Sequence, residues 1–172
     1  RWVFGAKLIE AAIRAPLTGL NTRLYMGDWC AAAIRAHNRA PGTGFGLVVF
    51  GLHLFKQVND VHGHLAGDEV LRRVGEIIRN AIRGEDLAVR FGGEELAVFV
   101  HCADRAEAAA LAERIRHSVE QSEFRSKIGR IPVTLSGGVA YHAVGETLDA
   151  LFARADKRLY EAKELGRNRI RD

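Results

Sequence analysis

Cysteine is scarce. Cys30 and Cys102 are the two in 172 residues, and neither belongs to a Cys-x-x-Cys pattern, which favours buried free thiols in a reducing compartment over a disulfide or a zinc site. Aromatic residues make up only 8% of the chain, with no stripe of them interleaved among basic clusters, so nucleic acid is not an expected partner. Long apolar runs are missing too: none approaches the roughly 20 residues that span a bilayer, and there is no secretory signal pattern. His53, His62 and His64 lie close together without the spacing of a metal site, and read as structural or exposed histidines. Internal repeats and low-complexity tracts are absent as well.

What remains is an ordinary globular composition, 48% hydrophobic and 27% charged, with a net charge of +4. The length suits one domain with a sizeable core and a short terminal extension. The mild positive charge favours anionic ligands such as nucleotides, or an acidic partner surface.

Val3, Leu8, Ile9, Ala12 and Ile13 fall on one helical face, the end of a linker helix over 1–14 that Pro16 breaks; the domain itself occupies 15–172. Leu17-Thr18-Gly19-Leu20 reads as a turn, followed by a helix over 23–39 with Leu24, Trp29, Ala33 and Ile34 as core candidates. The run 45–52 is almost wholly apolar and of strand length, expected to be central and buried on both faces. A polar stretch then leads into a helical stripe of Val70, Leu71, Val74, Ile77, Ile78 and Ile82 over 69–83. Further helices are expected over 105–123 and 148–165, the second capped by Gly166. Residues 131–141 read as one strand with a glycine-permitted irregularity, and 168–170 as an edge strand. Helices and strands alternating around a central hairpin predict an α+β fold, a β-α-β-β-α-β core with helices packed on a mostly antiparallel sheet.

That hairpin is Arg90-Phe91-Gly92-Gly93-Glu94-Glu95-Leu96, between the apolar runs 87–89 and 96–100. Adjacent glycines there favour a tight turn and leave the backbone bare, so a phosphate chain can approach closely. Glu94 and Glu95, consecutive on the strand that leaves the turn, are expected on opposite faces, with one able to bind a metal. A lone Gly-Gly-Glu-Glu is better read as a solvated turn; the motifs elsewhere decide between the two.

Those motifs are Leu17-Thr18-Gly19-Leu20, Phe55-Lys56-x-x-Asn59-Asp60, Gly63-His64-x-x-Gly67-Asp68, the hairpin, and Ala155-Asp156-x-x-Leu159-Tyr160-x-x-Lys163-x-x-Gly166-Arg167-Asn168. Each is weak alone. In this order they resemble the GGDEF family, the diguanylate cyclase domain of bacterial signalling proteins, over about 16–169. The resemblance implies a nucleotidyl cyclase or polymerase-palm-like core that binds one GTP. Two such domains meet as a homodimer, and each 3′-hydroxyl attacks the other's α-phosphate to give cyclic di-GMP and pyrophosphate. It also implies two magnesium ions held by carboxylates from the end of the first strand and from the hairpin. A cytoplasmic location is expected, because the nucleotides are cytoplasmic. The chain begins at Arg1 rather than Met, and an upstream sensor or regulatory domain is expected in a parent protein whose membrane anchoring stays open.

By the same resemblance, Glu94 and Glu95 are the catalytic pair, with Glu94 the magnesium ligand of the hairpin. Gly92 and Gly93 face the phosphates, Asn59 and Asp68 hydrogen-bond guanine, and Lys56, Lys163 and Arg167 neutralise the terminal phosphates. The strand ligand is not matched: the family's Asp-x-Asp is here Gly51-Leu52-His53. Gly51 has no side chain, and neutral imidazole is a poor magnesium ligand. Losing such a ligand costs on the order of several kcal/mol of transition-state stabilisation, so cyclase activity is expected to be impaired. Ala15, Thr22-Arg23 and Leu96 are lesser departures. Arg83-x-x-Asp86, nine residues before Gly92, matches the family's inhibitory site for an intercalated cyclic di-GMP dimer, with Arg114 a candidate second arginine.

Three readings follow: an impaired cyclase that binds cyclic di-GMP, and is open to GTP, as a regulatory module; a working cyclase in which Glu94, Glu95, water and backbone carbonyls suffice for magnesium; and a dimerisation domain that binds no nucleotide. Selective damage favours the first, since the metal position is empty while the product-site pattern is intact.

Overall fold

A computed structural model describes residues 17–172, apart from Leu54 and the side chains of Phe55 and Lys56. The helix end expected over 1–14 lies outside the described residues. In chain order the elements are α1 (Arg23–Arg39), β1 (Phe45–His53), α2 (Phe55–His62), α3 (His64–Ala81), β2 (Leu87–Arg90), β3 (Glu95–His101), α4 (Arg105–Gln121), β4 (Phe124–Ser126), β5 (Gly129–Ile131), β6 (Thr134–Tyr141), α5 (Leu148–Glu164) and β7 (Ile170–Arg171). Five strands form one sheet in the order β2-β3-β1-β6-β7, with β4 and β5 as a separate hairpin. β1 runs antiparallel to both β3 and β6, and β2 to β3, while the short β7 pairs parallel with β6. The expected α+β core with a mostly antiparallel sheet flanked by helices is present.

Burial explains why β1 is central. From Phe45 to Leu52 every residue is buried, and the two-residue period of the strand divides them between the faces. Val48, Phe50 and Leu52 pack with Val74 and Ile78 of α3 and Ile115 of α4. Phe45, Leu47 and Val49 pack with Met26 of α1 and Leu151 and Leu159 of α5. The sheet is therefore covered on both faces, and its two ends are left open.

Several expectations change. Leu24 is 72% exposed, and Met26 and Cys30 take the inward face of α1. The stripe expected over 69–83 belongs to a helix that begins at His64 and ends before Ile82. The polar stretch ahead of it is itself helical, and Gly63, at φ +88°, turns the chain between the two helices. The single strand expected over 131–141 is two, because Pro132 withdraws a backbone donor and β5 turns away to pair with β4. No irregularity interrupts β6: its register with β1 is continuous from Gly46↔Tyr141 to His53↔Thr134. Cys30 and Cys102 are free thiols. Burial pushes Cys30 up to about 12. Cys102 is only half-buried; burial first and the Glu107 charge second push it up to about 11.

The turn at Leu17-Thr18-Gly19-Leu20 is pinned beneath α3. Thr18 is buried, and its hydroxyl accepts the Leu20 N–H at 3.2 Å. Gly75 permits the approach, since a Cβ there would stand 2.6 Å from the Thr18 carbonyl oxygen. Asn21 then donates to Ala88 O at 2.9 Å and accepts from Arg90 N at 3.2 Å, fastening the chain to β2.

Candidate functional site

The end of the sheet where β1 finishes gathers the hairpin loop, α2, the start of α3 and the end of α5. The loop between β2 and β3 is four residues, 91–94, and is closed by the Phe91 N–H donating to Glu95 O at 2.9 Å. Glu94 thus lies in the loop rather than on the strand, correcting the expectation of two consecutive strand residues on opposite faces. Its carbonyl accepts the Leu52 N–H at 3.1 Å, and the ladder sets Glu95 opposite Gly51. Both carboxylates are exposed, and neither enters an ion pair among the described residues.

Gly92 and Gly93 are exposed, and a Cβ at either would meet nothing within 4 Å. Neither has a positive φ, so what the loop gains from them is bare backbone rather than a special turn. Arg90 holds the loop's shape, its guanidinium donating to Gly92 O at 3.2 Å and Gly93 O at 3.3 Å. Phe91 is fixed between the Arg23 guanidinium, 4.9 Å from its ring, and Phe152 at 5.1 Å. Sequence reasoning missed Arg90 as a loop clamp. Asn59 is brought against the start of α3, its side-chain oxygen resting on Gly67 in space that only a glycine leaves, and Asp68 is the next residue of that helix. The Lys56 side chain lies outside the described residues.

Lys163 and Arg167 arrive from the end of α5. Gly166, at φ +115°, ends the helix, and Arg167 and Asn168 follow in the left-handed region at φ 61° and 48°. Non-glycine residues adopt that region only when held there. Asn168 donates its backbone N–H to Ser136 Oγ at 3.0 Å, its side-chain oxygen accepts from Arg116 at 2.7 Å, and its amide donates to Glu120. The Asn168 amide first and Arg116 second hold the Glu120 carboxyl below its ordinary range. Arg116 on α4 is thus a positioning residue for the Arg167 segment, and its i,i+4 spacing to Glu120 was the available signal.

A two-magnesium site does not fit these residues. Gly51 offers no side-chain ligand, and the end of the Lys163 side chain approaches to 3.1 Å of where its Cβ would stand. Burial first and the Arg167 charge second hold the His53 imidazole below its ordinary range, as expected for a ring shielded from water beside a cation. Among the described residues no group of three or more His, Cys, Asp or Glu is placed to hold a metal ion.

A second site lies between the end of α3, β3 and α4. Arg83, Asp86 and Arg114, separated in sequence, line one pocket of about 240 Å³ together with His101, Cys102 and Glu107. Asp86 is almost fully buried, its two oxygens accepting the N–H groups of Arg83 and His101, each at 3.0 Å. It therefore shapes the Arg83 loop. The Arg83 side chain is exposed, and Arg114 is anchored by donating to Ala81 O at 3.2 Å. The walls from His101, Cys102 and Glu107 were not foreseen. The capping box that orients Glu107 was readable as Asp104-x-x-Glu107: Glu107 N donates to Asp104 at 3.0 Å and Ala103 N to Glu107 at 2.9 Å.

A family model described as diguanylate cyclase, GGDEF domain, matches residues 12–169. Diguanylate cyclase A of Treponema denticola is 42% identical over 125 residues, which are 72% of this chain and 34% of that protein. Response regulator PleD of Caulobacter vibrioides is 38% identical over 165 residues, 94% of this chain and 36% of that protein. The chain spans about a third of the length of these two relatives. Among solved structures, the coiled coil and GGDEF domain of DgcB from Caulobacter crescentus, in complex with c-di-GMP, is similar at a TM-score of 0.90 and 29% identity, over 98% of this chain and 89% of that one. With the motifs at their places in this sheet and a family model matched along nearly its whole length, the chain belongs to the GGDEF family of diguanylate cyclase domains.

Proposed function

We propose that this domain is a nucleotide-responsive module of cyclic di-GMP signalling that binds cyclic di-GMP through Arg83, Asp86 and Arg114, with its cyclase activity lost or much reduced. The observation that carries the reading is the convergence of those three residues on one pocket. Two guanidinium groups suit phosphate or the Hoogsteen edge of guanine. Asp86 keeps the Arg83 loop in place and retains lone pairs for a base N–H at the pocket wall. DgcB, a structural relative, is seen in complex with c-di-GMP, which supports the ligand class. Loss of cyclase activity is supported at the other site, where Gly51 lacks the carboxylate and the end of the Lys163 side chain lies close by.

A working cyclase is the second reading, favoured by the exposed Glu94 and Glu95 beside the bare Gly92-Gly93 backbone. It requires a homodimer that brings two such ends together with GTP and magnesium. An upstream sensor and a cytoplasmic location belong to either reading. No helix among the described residues is long and apolar enough to cross a membrane.

Calorimetry and a turnover assay separate the two. Cyclic di-GMP is expected to bind at about micromolar concentration, with Arg83→Ala or Arg114→Ala weakening it roughly tenfold or more. GTP with magnesium is expected to yield little or no cyclic di-GMP. Turnover that vanishes in Glu94→Ala would establish the cyclase instead, and binding indifferent to Arg83→Ala would remove the regulatory site.

A further inference from the structure

Lys163 is the unusual group at the end of β1. A Cβ on Gly51 would stand 3.1 Å from Lys163 Cε, 3.3 Å from Nζ and 3.9 Å from Leu159 Cδ1. The end of the lysine side chain therefore lies beside the position where a side chain at residue 51 would start. Lys163 is half-buried and forms no ion pair among the described residues. Glu95 faces Gly51 across the ladder, yet is not within ion-pairing distance of it. Arg167 is exposed just beyond the helix and held by the Asn168 network. His53 lies two residues beyond Gly51 on the same face of β1, where burial first and the Arg167 charge second lower its pKa.

A strand carboxylate would neutralise Lys163, and a divalent cation would then be needed to bridge that carboxylate to phosphate. With glycine there, the site is more positive by one charge and the lysine is left with no anion. A triphosphate tail, carrying several negative charges, satisfies the ammonium and the guanidinium directly.

We propose that this end of the sheet is a metal-independent polyphosphate site, in which Lys163 and Arg167 take the phosphate tail of a nucleoside triphosphate without magnesium. The proposal rests on the reading that the hairpin end faces nucleotide phosphates. It is independent of the cyclic di-GMP pocket.

The test is titration of the domain with GTP, and separately with inorganic tripolyphosphate, in excess magnesium and in EDTA. GTP affinity in EDTA is expected to lie within about threefold of that in magnesium, and tripolyphosphate to bind and compete with GTP. Lys163→Ala should weaken both ligands about tenfold or more in EDTA. Lys157→Ala, removing an exposed lysine of the same helix, should not. Gly51→Asp should reverse the dependence, binding poorly in EDTA and recovering with magnesium; the new side chain meets only the movable end of Lys163. Wild-type affinity that falls tenfold or more in EDTA would overturn the proposal, as would a Lys163→Ala domain that binds like wild type. Absence of GTP binding in both buffers would overturn the nucleotide reading of this end as well, while cyclic di-GMP titration of the same sample reports separately on the Arg83 pocket.

Discussion

Single glycines divide by what a side chain would meet. Gly138 on β6 lies directly under α5, where a Cβ would collide with the backbone of Ala155 and Leu159 and come 2.9 Å from the Arg158 carbonyl carbon. Helix backbone cannot swing aside as a side chain can, so the helix must lift from the sheet. Gly138→Ala is expected to cost about 1–3 kcal/mol or more and to lower the melting temperature by several degrees. Gly92→Ala meets open space, so its stability should stay within about 0.5 kcal/mol of wild type, while on the proposed phosphate-facing reading of the loop the new methyl is expected to weaken GTP binding. Thermal melts and GTP titrations check both; a Gly138→Ala domain as stable as wild type would mean that α5 adjusts without cost. The sequence could show that Gly92 and Gly93 leave backbone bare, but not how many residues the loop consumes. The loop takes in Glu94, so the strand begins at Glu95 and it is Glu95 that stands opposite Gly51. Arg83 was legible from the Arg-x-x-Asp spacing, and Arg114 only from the family resemblance. The pocket's walls were not, because His101 and Glu107 reach it only once β3 and α4 are folded.

Between elements, α4 steadies the chain that follows α5. Arg116, with its side chain 11% exposed, pairs with Glu113 and Glu120 and holds Asn168. Its removal leaves two consecutive left-handed residues, Arg167 and Asn168, with less to hold them. Arg116→Ala is expected to weaken tripolyphosphate binding by about fivefold or more, the equivalent of about 1 kcal/mol, while cyclic di-GMP binding at the Arg83 pocket stays unchanged. Equal weakening of both ligands would point to general loosening instead. Elements with a strong period were the readable ones. The apolar run of β1 and the stripe of α3 needed no partner to be recognised. The division of α2 from α3 depends on a positive φ at Gly63, and the β4–β5 hairpin depends on pairing between short polar segments; neither leaves a periodic signal. Leu24 misled because an apolar residue near a helix start needs no burial.

Across the molecule, a buried histidine pair joins α1 to the segment after β6. His37 and His142 are 4% and 0% exposed, with their Nδ1 atoms 2.8 Å apart, and His142 stacks on Phe45. The Glu146 carbonyl can only accept, so His142 donates from Nε2 at 2.9 Å. In the neutral pair His142 Nδ1 therefore accepts and His37 Nδ1–H donates. Burial first and the facing His142 second hold His37 below its ordinary range, against the Pro41 carbonyl, which favours the proton. Glu146, in the same region, titrates in a lower window: burial pushes its carboxyl up, but hydrogen bonds from Arg154 and the backbone outweigh that and leave it low. Above a pH of about 6.5, His37 is neutral both folded and unfolded, and its contribution is complete. As pH falls through that value, the unfolded chain takes up a proton that folded His37 resists, so stability declines until the folded pKa is passed. The domain is therefore expected to melt several degrees lower at a pH of about 5.5 than at about 7.5, and His37→Gln should reduce the difference, the remainder coming from His53, whose imidazole is also held low. Equal melting at the two pH values, or a decline that persists unchanged in His37→Gln, would assign the pH dependence to groups other than this pair.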